Sequence, residues 1–578
     1  MGRSPATLPA ATTKVKTSAA SRDEPPPREG YRDTVEAIVV AFILALVVRG
    51  FEAQAFVIPT GSMAPTLMGR HKEIACPQCG FTYAINASEE MNPQSISSGL
   101  CVNCRYQALN LENQPSFKGD RILVMMFPYD LPFLPGSGPP ERWDVVVFRY
   151  PEEPEVSYIK RLVGLPGEVI RIAHGDVYAG APGSDAFTLV RKPMRHQKAM
   201  QISVYDDRYR PQALAGSREW DRWRPAAAWT PAGERESRFS AESTGGTWCE
   251  LRYHHMVPDP EQWDAVLGGR ELPRPPRETL VTDFYSYNTN LPRSLSDLVG
   301  DSHYEQENAW MQPHWVGDLT LESNLEVKSV TPGGSVRWEL VEAGIPHRCT
   351  VDLNSGTATF TRGDEILGRT ETPIRGPGKF RVEFANVDDR MTLVVDGREV
   401  GGTGFAYDAG AANPVPTAAD LTPAAVAVRD ASVAVSDLVL KRDIYYTQYP
   451  GRNDYEEVWD DRRPRNPVEL FDFLSDPVRF SGLASLKFHD YPVGADRFFM
   501  LGDNSPRSKD SRGWTTVDAA WDSTSNREAW EVPRTNLTGK AFYVYWPHGV
   551  PFGPESLRVG RDLRLLFRPY VERMKWIR

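Results

Sequence analysis

"FVIPTGSMAPTL", residues 56–67, is the stretch that decides how the rest of this chain folds and what it could do. Proline, glycine and other small residues crowd its centre, which predicts a tight turn. Such a turn leaves the Ser62 hydroxyl uncovered, with backbone N–H groups close by. Ser62 could be a nucleophile, or the stretch could be a loop that leaves a membrane. A serine nucleophile needs a base, which has to come from elsewhere in the chain.

A purely apolar run, residues 37–48, precedes this turn. A membrane-spanning helix needs about 20 residues. Extending the run to residues 34–55 gives that length and admits Glu36, Arg49 and Glu52 near its ends. Charged side chains at these levels can reach the lipid headgroups. We therefore predict an uncleaved transmembrane anchor over residues 34–55.

The anchor has two alternatives. One is the apolar region of a cleaved signal peptide, for which Ala53-Gln54-Ala55 supplies a cleavage pattern, and the other is a buried core helix. Basic residues near the ends predict the orientation of an anchor. Those before it are Lys14, Lys16, Arg22, Arg28 and Arg32, and those beyond it are Arg70 and Lys72. This bias predicts a single-pass protein of the cytoplasmic membrane, with a cytoplasmic N-terminus and its main domain outside the cytoplasm.

Composition indicates a mainly β protein of several domains. A chain of 578 residues is too long for one hydrophobic core. The 45 glycines and 48 prolines, with few stretches of helical period, favour strands joined by turns. A net charge of −10 argues against a nucleic-acid partner, which normally meets a basic surface.

A lysine is the candidate base for Ser62. "VSYIKRLVGLPGE", residues 156–168, has the pattern of a strand that ends in a turn. Side chains alternate between the faces of a strand, so Lys160 shares a face with Tyr158, and we expect Arg161 on the opposite, solvated face. Burial disfavours the ammonium form and would lower the lysine pKa by about two to three units. Serine–lysine pairs are a known alternative to Ser-His-Asp triads.

A polar loop near the C-terminus supplies a third element. "FFMLGDNSPRSKDSRGW", residues 498–514, begins as an apolar strand. Gly502-Asp503-Asn504 predicts a turn in which Asp or Asn bonds its own backbone. Asp510 and Arg512 are close enough in sequence to pair and to hold a neighbouring serine. The alternative is a polar surface loop with one salt bridge.

Together these stretches resemble one family, the type I signal peptidases (leader peptidases), which are membrane-anchored serine peptidases with a Ser–Lys dyad. Besides the three stretches above, the resemblance rests on "GDRILVMMF" (residues 119–127), "RWDVVVFRYPEEPEVSYIKRLVGLPGE" (residues 142–168) and "VPRTNLTGKAFYVYWP" (residues 532–547). It implies a signal-peptidase β core that cleaves signal peptides from exported preproteins after small residues (A-x-A) at the lipid bilayer, with no catalytic cofactor.

The resemblance also implies a role for each site residue. Ser62 would be the nucleophile and Lys160 the general base. The oxyanion hole would use the Ser62 N–H and the Thr60 hydroxyl, and Ser508 would orient Lys160. The supporting residues would be Gly502, Asp503, Asn504, Ser508, Asp510 and Arg512, and the substrate-pocket residues Met63 and Tyr158.

Two pairs of cysteines interrupt this core. Cys76-x-x-Cys79 and Cys101-x-x-Cys104 have the spacing of a zinc ribbon, in which four thiolates hold one structural zinc ion. Two disulfides are the alternative outside the cytoplasm. The remaining cysteines, Cys249 and Cys349, could form a disulfide or stay separate thiols.

A second, larger insertion contains alternating strands with Asn-Ser-Gly and Asp-Gly turns, which predict a β-sandwich over residues 315–441. "MTLVVDGREV", residues 391–400, resembles the laminin-G/concanavalin-like sandwiches, many of which bind glycans or proteins. A plain structural module is the alternative. The preceding stretch, residues 181–314, shows no recognisable fold.

The whole chain is therefore predicted to be a peptidase core with insertions. The predicted order is a disordered cytoplasmic segment (1–33), the anchor (34–55), a first core segment with the nucleophile (56–75), the cysteine insertion (76–104), a second core segment with the base (105–180), the unassigned segment (181–314), the sandwich (315–441), a return segment (442–487), a third core segment (488–556) and a basic tail (557–578). The tail could lie on an anionic membrane or in solvent. Two other functions stay open: a specialised processing peptidase whose few clients the sandwich recruits, and a surface binding protein with an inactive core.

Overall fold

The computed structural model describes residues 31–51, 53–88, 96–126, 128–129, 138–226, 228–233, 236–292, 312–410, 413–449, 454–455, 459, 464, 466–514, 528–547, 549–551, 558–559, 563–564, 567–569 and 571–577. It divides into two units, Met1–Glu52 and Ala53–Arg578. The first unit contributes helix α1, Tyr31–Phe51. Within the described residues, no helix has both the length and the apolar character needed to cross a membrane. The anchor over residues 34–55 stays a prediction, and residues 1–30 of the predicted N-terminal segment lie outside the described residues.

The second unit is built almost entirely of strands, which confirms the prediction of a mainly β protein. Among the residues that the structure describes, its α-helices are α2 (Met194–Met200), α3 (Pro260–Leu267) and α4 (Pro467–Leu474). The first strands along the chain are β1 (Ala53–Val57), β2 (His71–Ala75), β3 (Thr82–Asn86), β4 (Ile96–Leu100), β5 (Gln107–Leu109), β6 (Ser116–Phe117), β7 (Arg121–Met126), β8 (Val145–Arg149), β9 (Ser157–Gly164), β10 (Val169–Ala173), β11 (Asp176–Gly180) and β12 (Phe187–Leu189). The next are β13 (Ile202–Asp206), β14 (Trp223–Pro225), β15 (Trp229–Pro231), β16 (Arg238–Glu242), β17 (Cys249–Tyr253), β18 (Leu291–Pro292), β19 (Leu319–Glu342), β20 (Ile345–Asp352), β21 (Thr357–Arg362), β22 (Glu365–Glu371), β23 (Gly378–Asn386), β24 (Arg390–Val395), β25 (Arg398–Ala406) and β26 (Ala424–Arg442). The last are β27 (Asp490–Pro492), β28 (Arg497–Leu501), β29 (Val532–Pro533), β30 (Leu537–Trp546), β31 (Gly549–Pro551), β32 (Arg558–Val559), β33 (Leu563–Arg564), β34 (Phe567–Pro569) and β35 (Lys575–Trp576).

The candidate site lies on one antiparallel sheet assembled from distant stretches of the chain. Its strand order is β1-β7-β30-β8-β9-β28-β29, and β35 pairs with β30. β9, which carries Lys160, lies between β8 and β28. β28 ends at Leu501, directly before the polar loop, and β1 leads into the Ser62 turn. This sheet therefore brings the three sequence stretches together.

The cysteine insertion consists of two small three-stranded sheets, β3-β2-β6 and β18-β4-β5. Each cysteine pair forms a tight turn after a strand, with the Gly80 N–H donating to Cys76 O and the Arg105 N–H to Cys101 O. β18 comes from the large insertion (residues 181–487) and pairs with β4, so the two insertions share a sheet.

A β-sandwich fills most of the large insertion. Its two longest strands, β19 and β26, pair with each other, with register shifts between Val330 and Ser335. Before these shifts β19 pairs with β23, and after them with β20. The two halves form two layers whose inward side chains, among them Leu325 and Trp338, share one hydrophobic core.

The sandwich is larger than the predicted range of residues 315–441. Strands β13, β16 and β17 all lie within residues 181–314, and each pairs with β26. The segment that the sequence left unassigned thus completes the sandwich. Its strands are only five residues long and are separated by Trp-, Arg- and Pro-rich stretches, which conceals their alternation.

Cys249 and Cys349 are both free thiols, so of the two open alternatives the separate thiols are correct and the disulfide is wrong. Cys249 lies on β17 and Cys349 on β20, with β26 and β19 between them. Three strand spacings place them about 14 Å apart, whereas a disulfide needs Cα atoms within about 7 Å.

A buried lysine fastens the sandwich to the smaller sheet β12-β11-β10-β27. Lys192, which follows β12, forms ion pairs with Asp388 and, at 2.8 Å, with Asp443. Asp176 and Asp318 lie in the same cluster, and burial raises the pKa of both carboxyl groups well above the usual range.

The last described residues of the predicted basic tail, residues 557–578, are joined to the first sheet, and its placement on a membrane or in solvent stays a prediction. β35 adds to the first sheet beside β30, and the Ile577 N–H donates to Phe542 O. Arg573 pairs with the buried Asp120 carboxylate at 2.8 Å. These contacts fold the end of the chain onto the core.

Candidate active site

Ser62 and Lys160 are in direct contact. The Lys160 Nζ donates a hydrogen bond to the Ser62 Oγ over 2.7 Å, although the residues are 98 positions apart in sequence. Lys160 points from β9 into a buried site, where 4% of the residue is exposed. Ser62 is half-buried in the loop of residues 58–69, which we call the Ser62 loop. The amine that is predicted to act as the base is therefore within hydrogen-bonding distance of Ser62.

Burial changes the acid–base properties of Lys160. It lowers the pKa of the amine to about 8, because desolvation penalises the ammonium form. The negative charges of Asp510 and Asp503 act in the opposite direction, and the positive charge of Arg512 lowers the pKa further. A large fraction of the amine is consequently neutral at mildly alkaline pH.

The loop of residues 502–514, called here the 502–514 loop, holds the Ser62 loop by its carbonyl groups. The Asn504 N–H donates to Ser62 O over 3.0 Å, and Asn504 Nδ2 donates to Gly61 O over 3.1 Å. Gly502 is needed for this approach, since a Cβ there would lie 2.0 Å from Ser508 Oγ and 2.6 Å from Ser62 O.

Asp510 and Arg512 form a fully buried ion pair inside the same loop, at 2.7 Å. Asp510 also accepts a hydrogen bond from the Gly502 N–H, and Arg512 donates to Thr447 O and to Ser505 O. The alternative of a polar surface loop is therefore wrong, because these charged groups lie in the interior.

Arg161 is buried, which contradicts the expectation that it is solvated. Its side chain is 0% exposed and forms two hydrogen bonds of 2.6 and 2.7 Å with the Asp503 carboxylate. A third goes to Trp143 O. The predicted turn required Asp503 or Asn504 to bond its own backbone. The Asp503 carboxylate instead bonds Arg161, and the Asn504 amide bonds Gly61 O and Asn288. Strand β9 is covered on both faces, so alternation alone could not separate a buried cation from a solvated one.

Ser508 does not make the predicted hydrogen bond to Lys160. Its hydroxyl is buried and has no hydrogen-bond partner among the described residues. The Ser508 Oγ instead lies against the Cα of Gly502, in the space that a Cβ would need at that glycine.

The two predicted pocket residues differ in exposure. Met63 is 0% exposed, because its side chain turns inward and packs in the core of the first sheet with Ile58 and Leu67. It therefore lines no solvent-accessible pocket. Tyr158 is half-buried, stacks on Tyr150 with ring centroids 4.6 Å apart, and has its ring centroid 5.4 Å from the Lys160 Nζ.

The two predicted oxyanion-hole donors, the Thr60 hydroxyl and the Ser62 N–H, both belong to the Ser62 loop. Thr60 is exposed. The Ser62 N–H donates to no backbone carbonyl among the described residues. The oxyanion-hole role of both groups stays a prediction.

The sequence did not identify Tyr287 and Asn288, which the large insertion places against the Ser62 loop. Asn288 exchanges two hydrogen bonds with the Asn504 amide, of 2.8 and 2.9 Å. Tyr287 is fully buried against Gly61. No local signal in the sequence around these residues could have revealed the contact, since it is made only by the tertiary fold.

The four cysteines of the insertion lie together. Their Sγ atoms are within 4.8 Å of one another, and none is in a disulfide. Sγ–Sγ distances are 3.6 Å for Cys76 and Cys104 and 3.7 Å for Cys79 and Cys101. Zn–S bonds of about 2.3 Å in a tetrahedron give sulfur separations of about 3.8 Å. The four thiols thus fit a zinc ion, whereas a disulfide needs about 2.05 Å.

Comparison with known proteins adds a family to this geometry. Residues 102–210 match the family "Signal peptidase, peptidase S26". Signal peptidase I of Pseudomonas aeruginosa is 36% identical over 138 residues, covering 23% of this chain and 31% of that protein. Signal peptidase I of Pseudomonas fluorescens is 54% identical over 59 residues, covering 9% of this chain and 21% of that protein. The chain thus spans less than a third of the length of these two relatives. The carbohydrate binding module CBM66 of Bacillus subtilis is 12% identical and covers 38% of this chain and 96% of its own, with a TM-score of 0.22, a likeness too weak to support an inference.

The sequence matches and the serine–lysine contact make this chain similar to serine peptidases. The similarity is to the signal peptidase family, peptidase S26, over residues 102–210, and the chain also carries an inserted β-sandwich.

Replacing Arg161 by lysine should destabilise the protein strongly. Lysine keeps the charge but cannot form the two parallel bonds to the buried Asp503 carboxylate. We expect a loss of about 2–4 kcal/mol in the free energy of unfolding, since buried pairs are costly to break. Arg171→Lys is the matched control, because its pair with Asp490 is 30% and 40% exposed and should cost about 1 kcal/mol or less. Thermal unfolding of the two full-length variants measures the difference, and equal losses would contradict the buried pair.

Proposed function

We propose that this chain is a membrane-anchored serine endopeptidase that removes N-terminal signal peptides from exported preproteins after small residues in an A-x-A pattern. The observation that carries the proposal is the 2.7 Å contact between the Lys160 Nζ and the Ser62 Oγ in a buried site. The match of residues 102–210 to the family "Signal peptidase, peptidase S26" supports the same activity.

The reaction needs only groups of this chain. Neutral Lys160 removes the Ser62 proton as the Oγ attacks the scissile carbonyl carbon. The new oxyanion receives hydrogen bonds from the Ser62 N–H and the Thr60 hydroxyl. The Lys160 ammonium then protonates the leaving amine, and the acyl-enzyme forms. Lys160 next removes a proton from water, which attacks the ester, and Ser62 regains its proton when the acid leaves.

The supporting residues keep Lys160 ready for this role. Asp503 and Asp510 would each hold a neighbouring lysine in its charged form if they were unpaired. Arg161 and Arg512 neutralise them. Tyr158 offers an accessible apolar ring on the Lys160 face, where small side chains of the substrate would fit.

The proposed location follows from the apolar segment. Residues 34–55 would anchor the chain in the cytoplasmic membrane, with the N-terminus in the cytoplasm and the peptidase on the outer side. The clients would be preproteins whose signal peptides are held in the same bilayer.

A second candidate function is a specialised processing peptidase with few clients, recruited by the sandwich. The contact of Asn288 with Asn504 favours it, because the large insertion then takes part in building the site. The third function, a binding protein with an inactive core, is weakened by the contact between Ser62 and Lys160.

A structural zinc ion would be held by Cys76, Cys79, Cys101 and Cys104. All four thiolates would be ligands, which leaves no open position for catalysis. The ion would fix the two turns of the cysteine insertion.

Removing either member of the dyad should abolish cleavage. Ser62→Ala and Lys160→Ala each lose about a thousandfold or more in kcat, because neither group works without the other. The assay is cleavage of a preprotein with an A-x-A leader by the full chain in lipid. Ser355→Ala and Lys198→Ala, both at exposed positions, are the matched controls and should keep full activity. Unchanged cleavage by both dyad variants would refute the proposal.

Activity should rise with pH towards a plateau above about 8, the pKa to which burial lowers Lys160. The charged amine cannot accept the Ser62 proton, so kcat/KM falls about tenfold per pH unit well below this pKa. A pH–rate profile between pH 6 and 10 measures it, with circular dichroism as a control for folding. A flat profile, or a midpoint near that of free lysine, would contradict a buried neutral base.

Elemental analysis of the purified full chain should find about one zinc ion per molecule, held by four thiolates. Cys101→Ser should remove it, whereas Cys249→Ser, which changes a cysteine outside the cluster, should retain it. Chains without zinc whose four cysteines are oxidised would mean disulfides instead.

A further inference from the structure

A single turn of the large insertion, Ser286–Asn288, packs against the Ser62 loop. Tyr287 is 0% exposed and clusters with Ala64 and Met68. A Cβ on Gly61 would lie 2.2 Å from its ring. The insertion therefore touches the backbone directly before the nucleophile.

Asn288 and Asn504 form a reciprocal amide pair, with exposed fractions of only 3% and 2%. Asn288 Nδ2 donates to Asn504 Oδ1 over 2.8 Å, and Asn504 Nδ2 donates to Asn288 Oδ1 over 2.9 Å. The second donor position of Asn504 Nδ2 bonds Gly61 O. Without Asn288, no hydrogen bond of this pair would stop the Asn504 amide from rotating. Rotation would turn the Asn504 Oδ1, an acceptor, towards the Gly61 carbonyl oxygen, which is also an acceptor.

Asn288 is itself fixed from two sides. Its N–H donates to Tyr285 O over 3.0 Å. The neighbouring Thr289 accepts a hydrogen bond from the Leu100 N–H over 2.9 Å and donates to Ser286 O over 2.7 Å. Leu100 directly precedes Cys101 of the cysteine cluster. The turn is thus held rigidly between the cysteine insertion and the Ser62 loop.

We propose that Asn288 is a positioning residue for Ser62. It holds the Asn504 amide in one orientation, and Asn504 holds the carbonyl groups of Gly61 and Ser62, which sets the direction of the Ser62 hydroxyl towards Lys160. The role rests on the proposed peptidase function and makes the large insertion a component of the catalytic apparatus.

The test compares Asn288→Ala, Asn504→Ala and the double variant, each as the full chain cleaving an A-x-A preprotein in lipid. We expect Asn288→Ala to lower kcat about 10- to 100-fold with KM unchanged, because a small displacement of the nucleophile slows chemistry more than binding. The double variant should be no slower than Asn504→Ala within about twofold, since both residues act through one contact. Asn386→Ala, which removes a buried amide in the sandwich, is the matched control and should lower thermal stability without lowering kcat.

The outcomes separate this inference from the proposed function. Unchanged kcat in Asn288→Ala, or multiplicative losses in the double variant, overturns the positioning role while Ser62-dependent cleavage stands. Cleavage that persists in Ser62→Ala overturns the peptidase function and the positioning role together. If Asn288→Ala does not fold, Asn288→Asp keeps the shape and the acceptor but lacks the amide donor, and it should show the same loss of kcat.

Discussion

The rest of this structure depends on a lysine amine that is kept dry beside a serine hydroxyl. Desolvation lowers the pKa of Lys160, but two carboxylates nearby favour its charged form. Each of these carboxylates has an arginine of its own, Arg161 for Asp503 and Arg512 for Asp510. The two buried ion pairs therefore limit the electrostatic pull on Lys160. This arrangement depends on strand β9, on the 502–514 loop and on the close packing at Gly502.

Strand pairing and buried ion pairs join the insertions to each other and to the core. The cysteine insertion shares a sheet with β18 of the large insertion. Lys192 links the sandwich to the smaller core sheet through Asp388 and Asp443. Because the Ser62 loop contacts the turn at Asn288, a change in either insertion would reach Ser62 through a short path of hydrogen bonds.

Features that depend on local pattern could be predicted from the sequence. Alternation along β9 indicated that Lys160 and Tyr158 share a face. Turn residues between alternating strands indicated a mainly β protein with an inserted β-sandwich. Prediction failed where tertiary neighbours decide. Arg161 was expected to be solvated because alternation does not reveal that both faces of β9 are covered, and the spacing of Cys249 and Cys349 does not reveal the two strands between them. Met63 was assigned to a substrate pocket by resemblance alone, which does not reveal that its side chain is buried. No pattern in the sequence marks Asn288.

The most direct measurement is the titration of the Lys160 amine itself. NMR of the full chain with lysine labelled at Cε, assigned against Lys160→Arg, follows this group separately from the exposed lysines. A midpoint at about 8 is the result that the buried site predicts. A midpoint at about 10.4, the value of a solvated lysine, would contradict the claim that Lys160 is a desolvated base.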